Sequence, residues 1–253
     1  MTHNKKLAIK LIVTCLNEEG NVQEFINELM ENVSNKVELA ILLIDNGSKD
    51  NTGAIISSLA QKYSSIIPIH REATFEYGKS ILEALKISID FSPEYIGWAP
   101  SDNQISGKDV GETIDALTSK ELDFIKVERY EKNYSLWRRI QSFGFNALVS
   151  VLFLKRIKDI NGSPKFFHTD LLLKLHLESE SWFLDGEAYL KCLKCVNKEK
   201  MSSISVRFNE RTHGRSNTSW ATAFELLMKV VVFRFVGIRK WSKKVSTSDR
   251  QQK

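Results

Sequence analysis

The chain has 253 residues, 42% hydrophobic and 26% charged, the balance of a globular protein with a sizeable core rather than a disordered or fibrous chain. Its formal net charge of +5 suits anionic or phosphorylated partners, a membrane surface included. No aromatic–basic stacking pattern accompanies the cations, which argues against nucleic acid as a partner.

The N-terminus leads straight into an apolar strand, without the core of a secretory signal. Leu7–Thr14, Val37–Ile44, Ile66–His70, Tyr95–Ala99 and Asp123–Val127 read as short buried strands. Between them, Val22–Val33, Asn51–Lys62, Ser80–Phe91 and Asp109–Ser119 carry apolar residues at helical spacing. This alternation predicts an α/β fold, a mostly parallel sheet covered by helices on both faces. Downstream come a helix from Ser135 to Leu154, an irregular stretch from Lys158 to Lys165, and a short helix at Asp185–Lys194. A strand at Ser203–Phe208, a polar loop Asn209–Ser219 and a last helix with Ser219 as N-cap complete the chain. The three cysteines, Cys15, Cys192 and Cys195, form no disulfide framework and fit a reducing cytoplasm. Cys192 and Cys195 have the spacing of half a zinc site, but no second pair follows, so they read as incidental helical residues. No stretch reaches the ~20 uncharged apolar residues that span a bilayer. No Pro/Gly-rich linker divides the chain, which predicts one domain over residues 1–217, a C-terminal helix over 218–243 and a disordered tail over 244–253.

In such sheets ligands bind beyond the carboxyl ends of the strands. The first strand ends in Thr14-Cys-Leu-Asn-Glu-Glu19, the second in Asp45-Asn-Gly-Ser-Lys-Asp50 and the fourth in Pro100-Ser-Asp-Asn-Gln104. Each loop alone is an ordinary turn or helix start. Three carboxylate-bearing loops on one rim point to a site.

At these residues the chain resembles glycosyltransferase family 2 and its dolichol-phosphate mannose synthase-like branch. Val13 to Glu19 is similar to the opening "P-x-x-N-E", Ile44 to Asp50 to "D-D-G-S-x-D", and Pro100 to Gln104 to the metal-binding "D-A-D-x-Q". Gly78-Lys79-Ser80 occupies the place of a glycine-rich loop before a helix. Asp159 to Phe167, Phe183 to Glu187 and Arg211 to Ser216 resemble the later motifs, in order, from Leu7 to about Asn217.

The resemblance implies a GT-A, Rossmann-like fold and a metal-dependent inverting enzyme that moves a sugar from a UDP- or GDP-linked donor to a polyprenyl phosphate. The alternatives are transfer to a saccharide hydroxyl in surface-polysaccharide or lipooligosaccharide assembly, and a non-catalytic nucleotide-sugar-binding protein. Thr14, Asn17, Glu18, Asp45, Lys79, Ser101 and Asp102 are the implied donor-binding residues. Asp102 and Gln104 are the implied ligands of Mg2+ or Mn2+. A hard cation with oxygen ligands neutralises the charge of a departing diphosphate. Asp185, Arg129 and Arg211 are the implied catalytic and acceptor residues, Asp185 as base if the acceptor is a hydroxyl and the arginines as a phosphate cradle if it is a lipid phosphate. Arg138, Arg139 and Arg215 are further cationic candidates, and Glu187 is a second acid. Two departures stand out: Pro100 replaces the first aspartate of the metal motif, and Asn46 the second acid of the other. The apolar run from Phe143 to Leu154, capped by Lys155 and Arg156, and the last helix with Arg234 among apolar neighbours add an expected peripheral contact with the cytoplasmic membrane face.

Overall fold

The computed structural model describes residues 6–90, 92–130, 136–209 and 220–251, with side chains excepted at 136–141, 220–224 and 245–251. The five apolar runs of the first half form β1 (Leu7–Cys15), β2 (Val37–Asp45), β3 (Ile66–His70), β4 (Tyr95–Pro100) and β5 (Phe124–Tyr130). The helical stretches between them form α1 (Val22–Asn32), α2 (Thr52–Lys62), α3 (Tyr77–Ile89) and α4 (Gly107–Ser119). Then follow α5 (Leu136–Phe153), β6 (Lys165–His168), α6 (Thr169–Leu175), α7 (Leu184–Cys195), β7 (Met201–Arg207), α8 (Trp220–Val232), a π-helical turn at Phe233–Gly237 and α9 (Ile238–Gln251).

Seven strands form one sheet in the order β3-β2-β1-β4-β6-β5-β7. Every pairing is parallel except those of β6, which runs antiparallel to both β4 and β5. Alternation along β1 builds both cores: Ile9, Leu11, Val13 and Cys15 face the layer of α1, α2 and α4, while Ile12 faces the opposite layer with Ile44, Ile96 and Trp98. In α1 the buried set Val22, Phe25, Ile26 and Leu29 has the spacing of one helix face. Ser106 and Asp109 form a capping box that starts α4 at the end of the loop after β4.

Two expectations are corrected, and one gap is filled. First, the irregular stretch runs as expected to Pro164, and β6 and α6 follow it over residues 165–175, where the sequence reading names no element; four residues are too few for a period to show, and Lys165 places a charge where a strand core is expected. Second, α3 begins at Tyr77, so Gly78, Lys79 and Ser80 lie inside its first turns rather than in a loop. Third, the chain beyond Lys243 is helical to Gln251, where the polar composition suggests disorder. Ile238 and Trp241 are buried, and Trp241 Nε1 donates to the Lys174 carbonyl at 3.3 Å. A helix anchored at its start extends at one hydrogen bond per added residue, and a solvated face needs only polar side chains. Ser219, the expected N-cap, lies outside the described residues, as do Arg211 and Arg215; the side chains of Arg138 and Arg139 do too.

Candidate active site

The order β2-β1-β4 sets three carboxyl ends side by side, with Cys15 level with Asp45 and Thr14 level with Pro100. The loops are tied to one another. Ser101 Oγ donates to the Thr14 carbonyl at 3.1 Å. Asn17, at φ 55°, donates its N–H to Ser48 Oγ at 3.0 Å and accepts from the Lys49 N–H at 2.8 Å. The Glu18 N–H donates to Thr52 Oγ1 at 2.8 Å, and its buried carboxylate accepts from Asn21 Nδ2 at 2.6 Å. Asp45, also buried, accepts from the Ser48 N–H at 2.9 Å. The rim expected from the sequence therefore exists, and Thr14, Asn17, Glu18, Asp45 and Ser101 meet on it. Burial pushes the Cys15 thiol beneath them up to about 12, which keeps it protonated and inert.

Asn46 has a structural use in place of the missing acid. Its Nδ2 donates to the Phe75 carbonyl at 2.8 Å, and its Oδ1 accepts from Arg71 Nη1 at 3.2 Å. Arg71 in turn donates to Ser80 Oγ at 2.6 Å, so the loop after β3 is fastened to α3. Lys79 stands in the first turn of α3 with its ammonium 4.8 Å from the Phe75 ring centre. Gly78 allows close approach by another loop: a Cβ there would lie 2.4 Å from the Ser179 carbonyl oxygen.

Asp102 and Gln104 follow β4, and the Gln104 N–H donates to Asp102 Oδ1 at 3.3 Å. Among the described residues no group of three or more His, Cys, Asp or Glu side chains is arranged to hold a metal ion. The donor set is one carboxylate and one amide oxygen. It fits Mg2+ or Mn2+ shared with a ligand's phosphates and water, since Mg2+ is commonly held by one or two carboxylates plus substrate oxygens. It does not make an all-protein cage.

Asp185 lies at the start of α7, buried, and three donors converge on it. Trp98 Nε1 and Lys165 Nζ each donate to Oδ1 at 2.8 Å, and the Tyr77 hydroxyl donates to Oδ2 at 3.0 Å. Trp98 and Lys165 are directly opposite in the β4–β6 pairing, so the antiparallel strand brings the lysine to the same end of the sheet as the rim. Burial, and then the nearby Asp185 charge, raises the Tyr77 hydroxyl well above its ordinary range, so it stays a donor. Burial lowers the Lys165 ammonium, and Asp185 opposes that shift. Glu187 accepts from the backbone N–H of Ser179 at 2.8 Å and from Lys191, which fixes the loop that covers Gly78. Beside this cluster Trp182 stacks on Tyr77, ring centres 4.3 Å apart, over a cavity of about 240 Å³ bounded also by Glu76, Phe183, Glu225 and Leu226.

Arg129, near the end of β5, forms a two-pronged pair with Asp159: Nε to Oδ2 at 2.8 Å and Nη2 to Oδ1 at 2.6 Å. Lys165 and Asp159 belong to a motif that the sequence already offers. Tyr77 and Trp98 carried no such signal, because an aromatic residue in a strand or helix start reads as core.

The sequence profile described as glycosyl transferase family 2 matches residues 10–174. Dolichyl-phosphate beta-glucosyltransferase ALG5D of Trichomonas vaginalis is 25% identical over 247 residues, covering 89% of this chain and 73% of that protein. An uncharacterized protein of Methanocaldococcus jannaschii is 26% identical over 235 residues, 89% of this chain and 98% of its own. Among solved structures, glucosyl-3-phosphoglycerate synthase from Mycobacterium tuberculosis, in complex with Mn2+, uridine diphosphate and glucosyl-3-phosphoglycerate, has the same fold. The TM-score is 0.70 at 13% identity over 90% of this chain and 80% of that one. The same synthase has also been solved with Mg2+ and uridine diphosphate, with a TM-score of 0.70 at 14% identity, over 90% of this chain and 79% of that one.

Proposed function

Because the chain belongs to glycosyl transferase family 2, we propose that it transfers a sugar, with inversion, from a UDP- or GDP-linked donor to a polyprenyl phosphate. One observation favours a phosphate acceptor over a hydroxyl. The acid placed for a general base, Asp185, has its carboxylate taken by Lys165, Trp98 and Tyr77. A sugar hydroxyl must lose its proton to a base in the transition state. A phosphate monoester is already largely ionised, with a second pKa near ~6, and needs none. The relative from Trichomonas, named for a dolichyl-phosphate acceptor, supports the same reading.

In this scheme Thr14, Asn17, Glu18, Asp45, Lys79 and Ser101 receive the nucleotide. Asp102, with Gln104, holds Mg2+ or Mn2+ together with the donor diphosphate, and the cation supplies charge neutralisation to the leaving group. Arg129 and Arg211 bind the acceptor phosphate, Arg129 by sharing its fork between Asp159 and the incoming oxygens. Asp185 orients Tyr77 and Trp98 rather than accepting a proton. Peripheral attachment at a membrane, where such an acceptor resides, completes the reading.

The test is turnover of UDP- and GDP-sugars with polyprenyl phosphate in detergent beside soluble saccharides. Sugar should pass to the phosphate, with activity lost on chelation and in Asp102→Ala. Arg211→Lys keeps the charge but loses the fork, so it should raise the acceptor KM about tenfold and leave the donor KM unchanged. Transfer to saccharide alone, with Arg211→Lys silent, would move the assignment to the hydroxyl reading.

A further inference from the structure

The cavity beside the Asp185 cluster is walled by the start of α3, the segment 181–183 and α8. Trp182 dominates it. Its indole lies within 8° of parallel to the Tyr77 ring, so one face is covered, yet 52% of the residue stays exposed. The support behind it is fixed at every point. The Tyr77 hydroxyl is pinned on Asp185 at 3.0 Å, the Lys79 N–H holds the Glu180 carbonyl at 2.8 Å, and the Phe183 N–H donates to Ser181 Oγ at 3.3 Å. An indole backed by a second ring and left bare on one side has the form of a binding platform rather than of a core residue.

The charges of the cavity select what can occupy it. Glu76, Glu225 and Lys229 line it, two carboxylates against one ammonium, and Lys229 is already engaged by Glu225 at 2.5 Å. A diphosphate or a lipid phosphate would meet net negative charge there. A polyprenyl tail would take water from both carboxylates and offer no donor in return. A hexopyranose satisfies both halves of the pocket. Its face of C–H bonds lies against the negative face of the indole, and its hydroxyls donate to the carboxylates in charge-assisted hydrogen bonds. At about 240 Å³ the cavity has room for one ring, since sites for larger, drug-sized ligands run from ~300 to 1,000 Å³.

We propose that this cavity is a hexopyranose subsite, in which Trp182 stacks on the sugar ring and Glu76 and Glu225 accept hydrogen bonds from its hydroxyls, so that Trp182 and Glu76 set the sugar specificity of the enzyme. The subsite rests on the chain's membership of a glycosyltransferase family and not on the identity of the acceptor. With a lipid phosphate as acceptor the ring is that of the donor; with a saccharide acceptor it can belong to either substrate.

The test is calorimetric titration of the full chain, in Mg2+, with UDP and GDP and with UDP-glucose, UDP-galactose, UDP-N-acetylglucosamine and GDP-mannose. In wild type at least one nucleotide sugar should bind more tightly than its nucleotide. Trp182→Ala should weaken that nucleotide sugar about five- to tenfold and leave its nucleotide unchanged, and Trp182→Phe, which keeps a flat face, should recover most of the loss. Glu76→Ala should weaken it by about tenfold or more. Both positions are exposed, so circular dichroism should match wild type. Equal losses for nucleotide and nucleotide sugar would mean disturbed packing and would overturn the proposal, as would no loss in either variant. A lower KM for polyprenyl phosphate in Glu76→Ala, with nucleotide sugars unaffected, would give the cavity to the lipid tail and overturn it too. So would a wild type that prefers no nucleotide sugar and binds no methyl glycoside. Binding of a methyl glycoside to the nucleotide-loaded chain, lost in Trp182→Ala, would support the subsite and place the acceptor in it; that outcome contradicts the lipid-phosphate reading alone, so the two conclusions can fail separately.

Discussion

Lys126 is enclosed on β5, its ammonium donating to the carbonyls of Lys158 at 2.8 Å and Asp159 at 3.1 Å and lying 3.4 Å from Glu128. Burial lowers it from the ordinary 10.5 to about 8, against the opposing pull of Glu128 and Asp159. The unfolded chain keeps that proton up to 10.5, whereas the folded chain releases it near 8, so between these values the unfolded state binds more protons. Stability should therefore rise as pH climbs through that window, with a slope approaching about 1.4 kcal/mol per pH unit, and should fall as pH drops toward 8. Urea unfolding of wild type against Lys126→Met checks this: the variant should lack that part of the rise, and parallel pH profiles would contradict it. Lys126, Lys165 and Lys191 are all buried, and burial of that kind is what sequence reasoning handles worst. A lysine reads as surface from composition, and only three-dimensional packing reveals the carbonyls and carboxylates that hold it. The rim residues were legible for the opposite reason: Glu18, Asp45 and Asp102 follow apolar runs whose strand character is plain, so their place is settled by where a strand must end. The convergence on Asp185 was not legible, because Tyr77, Trp98 and Lys165 come from three elements and one of those strands has only four residues.

Among the elements, α3 carries a steric demand set by backbone on the other side of the contact. Its Gly78 faces the 179–181 segment so closely that an added methyl would meet backbone atoms of Ser179, Glu180 and Ser181, while the Lys79 N–H donates to the Glu180 carbonyl at 2.8 Å. Backbone cannot swing away as a side-chain tip can. Gly78→Ala should cost about 2 kcal/mol and loosen the stack of Tyr77 on Trp182, seen as a lower urea midpoint and altered tryptophan fluorescence. Unchanged values would mean that the covering segment yields freely. The strand–helix alternation of the first half was readable because each element there is long enough to show its period, as in the buried Val22, Phe25, Ile26 and Leu29 of α1. The C-terminal part was harder for a physical reason. Among the described side chains of α9 only Ile238 and Trp241 are buried, so over that span its helical state leans on continuation from α8 and the π turn rather than on a broad apolar stripe of its own. At that turn Gly237 lies under the Phe233 ring, which a Cβ would approach to 2.5 Å, and the widened turn keeps the helix continuous past the contact.

For the whole molecule, the glycosyltransferase fold divides by partner rather than by linker. The strands β3, β2, β1 and β4 pair with one another, and all four come from the first 100 residues. The other wing is different: among the described residues β5 pairs only with β6 and β7, both made later in the chain. The reversed strand β6 thus fixes an order of assembly. A chain emerging from the ribosome can close its first four strands while β5 has no neighbour, and β4 stays an open edge until residues 165–168 arrive. Long-range pairings of this kind form late because the intervening loop must first be closed. Pulse-labelled hydrogen exchange during refolding should find the amides of Leu11–Val13 and Leu42–Ile44 protected before those of Ile125–Val127; simultaneous protection would show that the two wings form as one. In the interval, the β5 wing of the sheet is unbuilt and an apolar strand edge is bare, so the time spent waiting for β6 is when this protein is most exposed to aggregation.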